Sequence, residues 1–350
     1  MIVHVASGRE WRGGQHQVLL LATGLHRADV PTLVVTGAGT TLAARLHDAG
    51  VAVEEVGWAI GLDPRVAIRV MTLIRPGVTL HVHDSHAHAL ADLAARARRA
   101  PIVVTRRVVF PIRSPQRYRR AAAVIAISNA VQRQVVDAGV DAHRVHLVPD
   151  AIDPATIPTE SANQHAGNDV PPTIVCIAAL MPEKGIDILL DAAAMLRASH
   201  PDARWRVVGE GSARAALEAH RHRLDLDAVV EFASTIPAGA ALSVATLAVQ
   251  PSRSEGLGSA ALQALACGVP LVVSDAGGLP DVVAQGGGVV IPRESPAALA
   301  ETVGRLLDSP GERASLAAQG RAASVNFTVD RLVERTRRVY RSVASTRDGA

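Results

Sequence analysis

The chain has 350 residues, 48% of them hydrophobic but only 2% aromatic, and a formal net charge of +3. That is long enough for two domains, with cores built from Ala, Val, Leu and Ile. No run of about 18 uncharged apolar residues occurs, so no helical membrane span is expected. Two cysteines, Cys176 and Cys267, lack metal-ligand spacing and are too few for a disulfide framework, so a reducing, cytoplasmic setting is expected.

The chain opens with a short apolar run, Ile2–Ala6, which reads as a first strand rather than a secretory leader. Further strands are predicted at Leu33–Thr36, Ala52–Val56, Leu80–Val82, Ile102–Thr105, Val124–Ile127 and Val145–Val148. Amphipathic patterns between them predict helices at Gln15–Leu25, Leu42–Ala49, Val66–Ile74, Ala87–Arg98 and Ala130–Ala138. Short continuous apolar runs alternating with helices imply a parallel sheet covered on both faces. The polar, Pro-rich segment Asp153–Pro172 breaks the alternation and reads as an interdomain linker.

The alternation then resumes. Strands are predicted at Thr173–Ala178, Trp205–Val208, Val229–Phe232, Leu247–Gln250, Leu271–Val273 and Val289–Ile291. Helices are predicted from Ile186 to Leu196 and near Ala213–His222. Ser295 is placed to cap a helix with Pro296 in its first turn, and a last helix runs over about Asp330–Ser345. The expected layout is a first domain over 1–160, a second over 170–330, and a terminal helix over 331–350. The fold class expected from this layout is α/β, with two doubly wound domains.

Charge is uneven. Residues 1–165 carry 18 Arg against 13 acidic residues, a net of +5, and residues 166–350 carry 18 basic against 20 acidic, a net of −2. Arg96, Arg98, Arg99, Arg113, Arg117, Arg119 and Arg120 contribute much of the excess, which suits an anionic partner or a solvated helix face. Lys184 is the one lysine among 36 basic residues.

The stretch Pro251–Asp281, PSRSEGLGSAALQALACGVPLVVSDAGGLPD, puts chemistry at a strand end. Glu255 supplies a carboxylate able to accept sugar hydroxyl bonds, and the N–H groups of Leu257, Gly258 and Ser259 open a helix. Lys184, in LMPEKG, follows a strand and precedes a helix, where an ammonium suits a phosphate rather than the helix dipole. Gly13 and Gly14 follow the first strand and permit close backbone approach. Arg106 and Arg107 follow the strand Ile102–Thr105; either could bind an anion or make a structural ion pair, and the sequence does not say which of them faces a ligand. His81, His83, Asp84, His86 and His88 form a dense run, with His81 and His83 on one strand face. Its spacing does not give an open three-ligand zinc geometry, so no metal is expected, and Asp84 is a candidate on the acceptor side.

These motifs resemble the donor-binding signature of retaining family-4 glycosyltransferases of the GT-B fold. The resemblance implies two Rossmann-like domains facing across a cleft, with a nucleotide-sugar held mainly by residues 173–330, an acceptor by residues 1–150, and the terminal helix over 331–350 packing back towards the first domain. It assigns catalytic roles to Glu255, Lys184 and Arg107. It assigns substrate contacts to Gly13, Gly14, Asp84, Arg106, Glu210, Leu257, Gly258, Ser259 and Gln263. Gln263 stands where the family has a second, ribose-binding Glu, Ala179 where it commonly has Arg, and Asp281 where relatives often have Glu. Glu210 lies in a Gly-Glu-Gly turn of the kind that brackets the base in the family, and both Glu210 and Asp281 also fit plain surface carboxylates.

The implied activity is transfer from a nucleoside-diphosphate sugar, without metal or other cofactor, to a glycan or lipid-linked acceptor of lipopolysaccharide or cell-surface polysaccharide. The implied location is cytoplasmic, with peripheral contact at an anionic membrane face and no nucleic-acid partner. A sugar-nucleotide epimerase and a non-catalytic sugar-nucleotide-binding protein are the alternatives; Ala179 and Gln263 keep the second open. Base, sugar, acceptor, linkage and oligomeric state are not legible.

Overall fold

A computed structural model describes residues 1–58, 62–153, 157 and 171–348. Most of the expected linker, Asp153–Pro172, lies outside the described residues. The chain divides into two compact units, Met1–Ala151 with Val329–Ala350, and Ile152–Thr328.

In the first unit the elements run β1 (Ile2–Ala6), α1 (Gly13–Arg27), β2 (Thr32–Gly37), α2 (Thr41–Asp48), β3 (Ala52–Val56), α3 (Pro64–Leu73) and β4 (Thr79–Val82). They continue with α4 (Ser85–Arg98), β5 (Ile102–Arg106), α5 (Pro115–Arg120), β6 (Ala123–Ala126), α6 (Asn129–Asp137) and β7 (Val145–Leu147). The strands form one parallel sheet in the order β3-β2-β1-β4-β5-β6-β7. Strands β1, β4, β5 and β6 are buried along their whole length, which is why they read as unbroken apolar runs rather than alternating ones.

The second unit runs β8 (Thr173–Ile177), α7 (Ile186–Leu196), β9 (Arg204–Val208), α8 (Arg214–Arg223), β10 (Val230–Ala233), α9 (Ala238–Leu242) and β11 (Leu247–Gln250). It continues with α10 (Ser259–Ala266), β12 (Leu271–Ser274), α11 (Leu279–Val283), β13 (Gly288–Ile291), α12 (Pro296–Asp308) and α13 (Pro310–Ser324). Its parallel sheet has the order β10-β9-β8-β11-β12-β13. Its core joins α7 and α12 to the sheet through Leu189, Leu190, Leu299, Leu306, Trp205 and Val249. Each fully buried aliphatic side chain of this kind contributes about 1.5–3 kcal/mol before entropy is counted.

Helix α14 (Val329–Asp348) belongs to the first unit, where Val333, Val339 and Val343 share a core cluster with Leu21 and Leu25 of α1. Tyr340 of α14 is buried, and its hydroxyl lies 2.6 Å from His81 Nδ1 in β4.

Both sheets reverse direction of growth once. After β3 the chain returns to place β4 beside β1, and after β10 it returns to place β11 beside β8. At such a switch point the loops leaving two adjacent strands diverge to opposite faces, and the crevice at their carboxyl ends is where open α/β sheets take ligands.

Three helices went unread in the sequence. Helix α5 is six residues, four of them Arg or Gln, anchored by the single buried Tyr118. Helix α9 is a five-residue Ala/Gly turn. Helix α13 follows α12 with only Ser309 between them, and Pro310 starts it. Elsewhere Ser295 caps α12 as expected, accepting from Ala298 N at 3.2 Å.

Candidate functional site

In the second unit the β8/β11 switch point carries the expected charges. The loop after β8 ends in a single 3-10 turn, Pro182–Lys184, followed by Gly185 in the left-handed region at φ 65°. A Cβ at Gly185 would stand 2.1 Å from the carbonyl oxygen of Pro251, so only glycine lets this loop touch the one after β11. There Glu183 O accepts from the N–H groups of Arg253 and Ser254 at 2.8 and 3.2 Å. The result is a direct contact: Lys184 Nζ donates to Glu255 Oε2 at 2.6 Å, both side chains about one-fifth exposed (21% and 17%).

Glycines shape the rest of this rim. Gly277 has φ 55°, and a Cβ there would fall 1.7 Å from Glu255 O, while Gly278 N donates to that same oxygen at 3.2 Å. Gly258, at φ 103°, is the N-cap residue of α10 and has no side chain with which to cap it. Its free end carries the positive pole of the helix beside the Lys184–Glu255 pair. Leu257 is 2% exposed, so its contribution to a ligand would come from the backbone, whereas Ser259 is exposed and Gln263 half-buried.

The turn Gly209–Gly211 packs on the loop after β8: Leu180 N donates to Glu210 O at 2.9 Å, and a Cβ at Gly209 would meet Ala178 O at 2.0 Å. The Glu210 carboxylate itself is held by Arg214, which keeps it below the usual carboxylate range. Ala179 is exposed at this rim and contributes no charge. Asp281 lies in the first turn of α11.

The first unit has its own rim at the β1/β4 switch point. Gly13 and Gly14 open α1, and a Cβ at Gly14 would meet nothing within 4 Å, so Gly14 leaves open space at this helix start. Asp84 is the N-cap of α4, accepting from Ala87 N at 2.9 Å and His86 N at 3.1 Å. It also accepts from Ser7 N at 2.7 Å and from the Ser7 hydroxyl, tying the loop after β1 to the start of α4. Its named contacts position these elements.

The arginine pair divides its work. Arg106 is buried, with its guanidinium bonded to Gln134 Oε1, Tyr118 Oη and Phe110 O. These contacts are internal to the fold. Arg107 sits at the rim: its Nε donates to Asp150 Oδ1 at 3.0 Å, and its Nη1 lies 3.3 Å from His83 Nδ1.

Behind Arg107 lies a buried imidazole group. His4 and His81 are register partners in β1 and β4, and His83 Nε2 lies 2.9 Å from His4 Nδ1. Burial pushes all three imidazoles down, His4 to about 3, so they are neutral at physiological pH. Since Arg107 can only donate, His83 Nδ1 accepts, His83 Nε2–H donates to His4, and His4 carries its own proton on Nε2. That Nε2 is buried and has no partner among the described residues. The three rings offer nitrogens within 4.8 Å of one another, a spacing compatible with a metal. Both nitrogens of His81 are nevertheless engaged, with Tyr340 Oη and Thr105 Oγ1 at 2.6 Å each, and the Arg107 cation adjoins His83. The donor set is that of a hydrogen-bonded relay supporting Arg107. Asp150 closes the relay, with burial raising its carboxyl above the ordinary range against the pull of Arg107.

Sequence reasoning did not reach His4, Asp150 or Arg253. His4 sits alone in an apolar strand and is linked to His81 only by sheet register. Arg253 stands two residues before Glu255 but meets its partners through loops far apart in the chain.

The comparisons bear on the same two halves. Residues 159–323 match the family Glycosyl transferases group 1, and residues 11–156 match Glycosyltransferase Family 4. The D-inositol 3-phosphate glycosyltransferase of Kineococcus radiotolerans is 30% identical over 295 residues, covering 76% of this chain and 67% of that protein. The protein of the same name from Acidothermus cellulolyticus is 35% identical over 234 residues, 61% of this chain and 52% of the relative. The chain thus spans about half the length of several relatives it matches (52%, 47% and 55%). Among solved structures, Anabaena Alr3699/HepE in complex with UDP and glucose superposes with a TM-score of 0.83 at 21% identity, covering 97% of this chain and 99% of that one. The architecture is therefore the two-domain, Rossmann-like GT-B fold. The chain belongs to the family-4, group 1 glycosyltransferases.

The Gly277 contact gives a direct test of how this rim is built. Gly277→Ala combines a left-handed backbone with a clash against Glu255 O and should lose about 2 kcal/mol or more in urea unfolding. Gly311→Ala, which meets open space in α13, should stay within about 1 kcal/mol of the parent. Equal stabilities for the two variants would contradict the packing described.

Proposed function

We propose that the chain is a retaining glycosyltransferase that moves a sugar from a nucleoside-diphosphate sugar to a glycan or lipid-linked acceptor. The observation that carries this reading is the Lys184–Glu255 contact at the β8/β11 switch point, beside the uncapped start of α10. Without donor each charge answers the other. With donor, Lys184 turns to the diphosphate, whose charge grows as the glycosidic oxygen departs, and Glu255 accepts from sugar hydroxyls. The N–H groups of Gly258 and Ser259 add positive dipole toward the same diphosphate. Leu257 contributes through its backbone, Gln263 meets the ribose as a neutral amide, and the Gly209–Gly211 turn with Glu210 borders the base.

In this reading no carboxylate acts as a nucleophile. The bond from the anomeric carbon to the phosphate oxygen breaks first, and the acceptor oxygen bonds to the same face. The departing phosphate oxygen takes the acceptor's hydroxyl proton, which gives retention with every proton accounted for. Charge compensation comes from Lys184 and backbone N–H groups, and no step passes through a metal.

The acceptor belongs to the first unit in this reading, with Gly13 and Gly14 allowing close approach and Arg107 offering an oriented cation. A phosphorylated or lipid-linked acceptor, of lipopolysaccharide or another cell-surface glycan, is supported by the basic first half. It is also supported by two relatives named for an inositol phosphate. Among the described residues no ion pair involves Arg96, Arg98, Arg99 or Arg113, and Leu93 and Phe110 stand exposed among them in sequence (58% and 54%). Charge with exposed apolar side chains suits peripheral contact with an anionic membrane. No helix among the described residues is long and apolar enough to cross one.

A thermal-shift panel of nucleotide-sugars identifies the donor, since stabilisation follows affinity. With that donor, Lys184→Ala and Glu255→Ala should each lower kcat/KM by about 100-fold or more, the scale of removing one group that stabilises developing charge. Rates equal to the parent's would remove both roles. Sedimentation with vesicles should show binding to anionic and not to zwitterionic bilayers, weakening as salt rises. Equal binding to both, or none, would remove the membrane contact.

A further inference from the structure

Arg253 lies outside the residues assigned above, yet it joins three loops at the rim that carries Lys184 and Glu255. Its Nη1 and Nη2 grip both oxygens of Asp187, in the first turn of α7, at 2.7 and 2.6 Å. Nη1 also donates to Pro182 O at 2.8 Å, and Nε donates to Glu294 Oε1 at 2.7 Å. The backbone N of Arg253 donates to Glu183 O at 2.8 Å. One side chain therefore holds the loop after β8 on both flanks of Lys184, at Pro182 and at Asp187, from a position two residues before Glu255.

Backbone bonds at Leu180 and Glu183 hold the start of that loop, and Arg253 supplies the side-chain contacts at Pro182 and Asp187 on either side of Lys184. The Pro182–Lys184 turn has no side-chain cap, and Gly185 begins α7 without one. The fork is charge-assisted throughout: the bond from Arg253 holds the Asp187 carboxyl below the usual carboxylate range against the opposing effect of burial, so it stays charged across ordinary pH. Glu294, gripped by the same guanidinium, is one of the few non-glycine residues in the left-handed region, at φ 58°. That strained backbone is held where its carboxylate can complete the fork.

We infer that Arg253 is the positioning residue of the donor site: it clamps the Lys184 loop to the Glu255 loop, so that the ammonium is already beside the carboxylate when a diphosphate arrives. The inference rests on the donor-site reading of Lys184 and Glu255 and adds a residue that acts only through them. A planar, bidentate fork is required for this, because a lysine at 253 could meet only one Asp187 oxygen at a time.

The test is a double-mutant cycle on kcat/KM for the donor, with melting temperatures recorded alongside. Arg253→Ala in the parent should lower kcat/KM by about tenfold or more, and Arg253→Lys should recover only part of it. In a Lys184→Ala background the same Arg253→Ala change should cost less than about threefold, because the group it positions is gone. A purely structural role would lower the melting temperature and give the same factor in both backgrounds, which overturns the inference, as does an unchanged kcat/KM for Arg253→Ala. If Arg253→Ala fails to fold, Asp187→Asn weakens the same fork with little change of shape, and the same coupling to Lys184 is expected. If Lys184→Ala alone leaves kcat/KM unchanged, the donor-site reading falls. If Lys184→Ala is damaging but the two changes multiply, only the role of Arg253 falls.

Discussion

The account depends on one constraint: two loops leaving adjacent strands of a parallel sheet must meet backbone to backbone at the β8/β11 switch point. Gly185 against Pro251 O is the contact that permits it, and Gly277 against Glu255 O seats the loop after β12 on the same Glu255 loop; any side chain at either place would separate the loops it joins. Once they meet, a lone lysine and a carboxylate are brought to 2.6 Å beside an uncapped helix start. Two opposite charges paired at a partly exposed rim are well suited to exchange partners with a ligand bearing both phosphate and hydroxyl groups. The loss of one ion pair is then offset by two new charge-assisted sets of hydrogen bonds.

The first unit solves a related problem with different chemistry. Arg107 is a cation that two neighbours hold at a sheet rim, and one of them is a neutral imidazole rather than a second carboxylate. Burial makes His83 and His4 acceptors or single donors instead of cations, so they orient the guanidinium without repelling it. The orphaned His4 N–H is the cost of that arrangement, and its neighbour His81 is fully bonded between Thr105 and Tyr340. Through Tyr340 the terminal helix becomes part of the support for the same strand end.

Much of this was legible in the sequence, for identifiable reasons. Strands buried on both faces leave unbroken apolar runs, so β1, β4, β5 and β6 could be read almost to the residue. Glu255 and Lys184 could be named because glycines and prolines mark the turns around them. What stayed hidden depends on contacts distant in sequence. Which of Arg106 and Arg107 lies at the rim is decided by Tyr118, Gln134, His83 and Asp150, from four different segments. Asp84, the acceptor-side candidate, also caps α4, because Ser85 starts that helix immediately after it. Arg253 looked like one more arginine in an arginine-rich chain, and its meaning appears only when Asp187, Glu294 and Pro182 surround it.

The central claim is that the Lys184–Glu255 pair is a resting state that opens onto a diphosphate. A crystal structure of the protein soaked with a nucleoside diphosphate tests it most directly. The account predicts a phosphate oxygen within about 3 Å of Lys184 Nζ, with the Glu255 carboxylate released. A bound nucleotide whose phosphates lie elsewhere, with the ion pair intact, would contradict it.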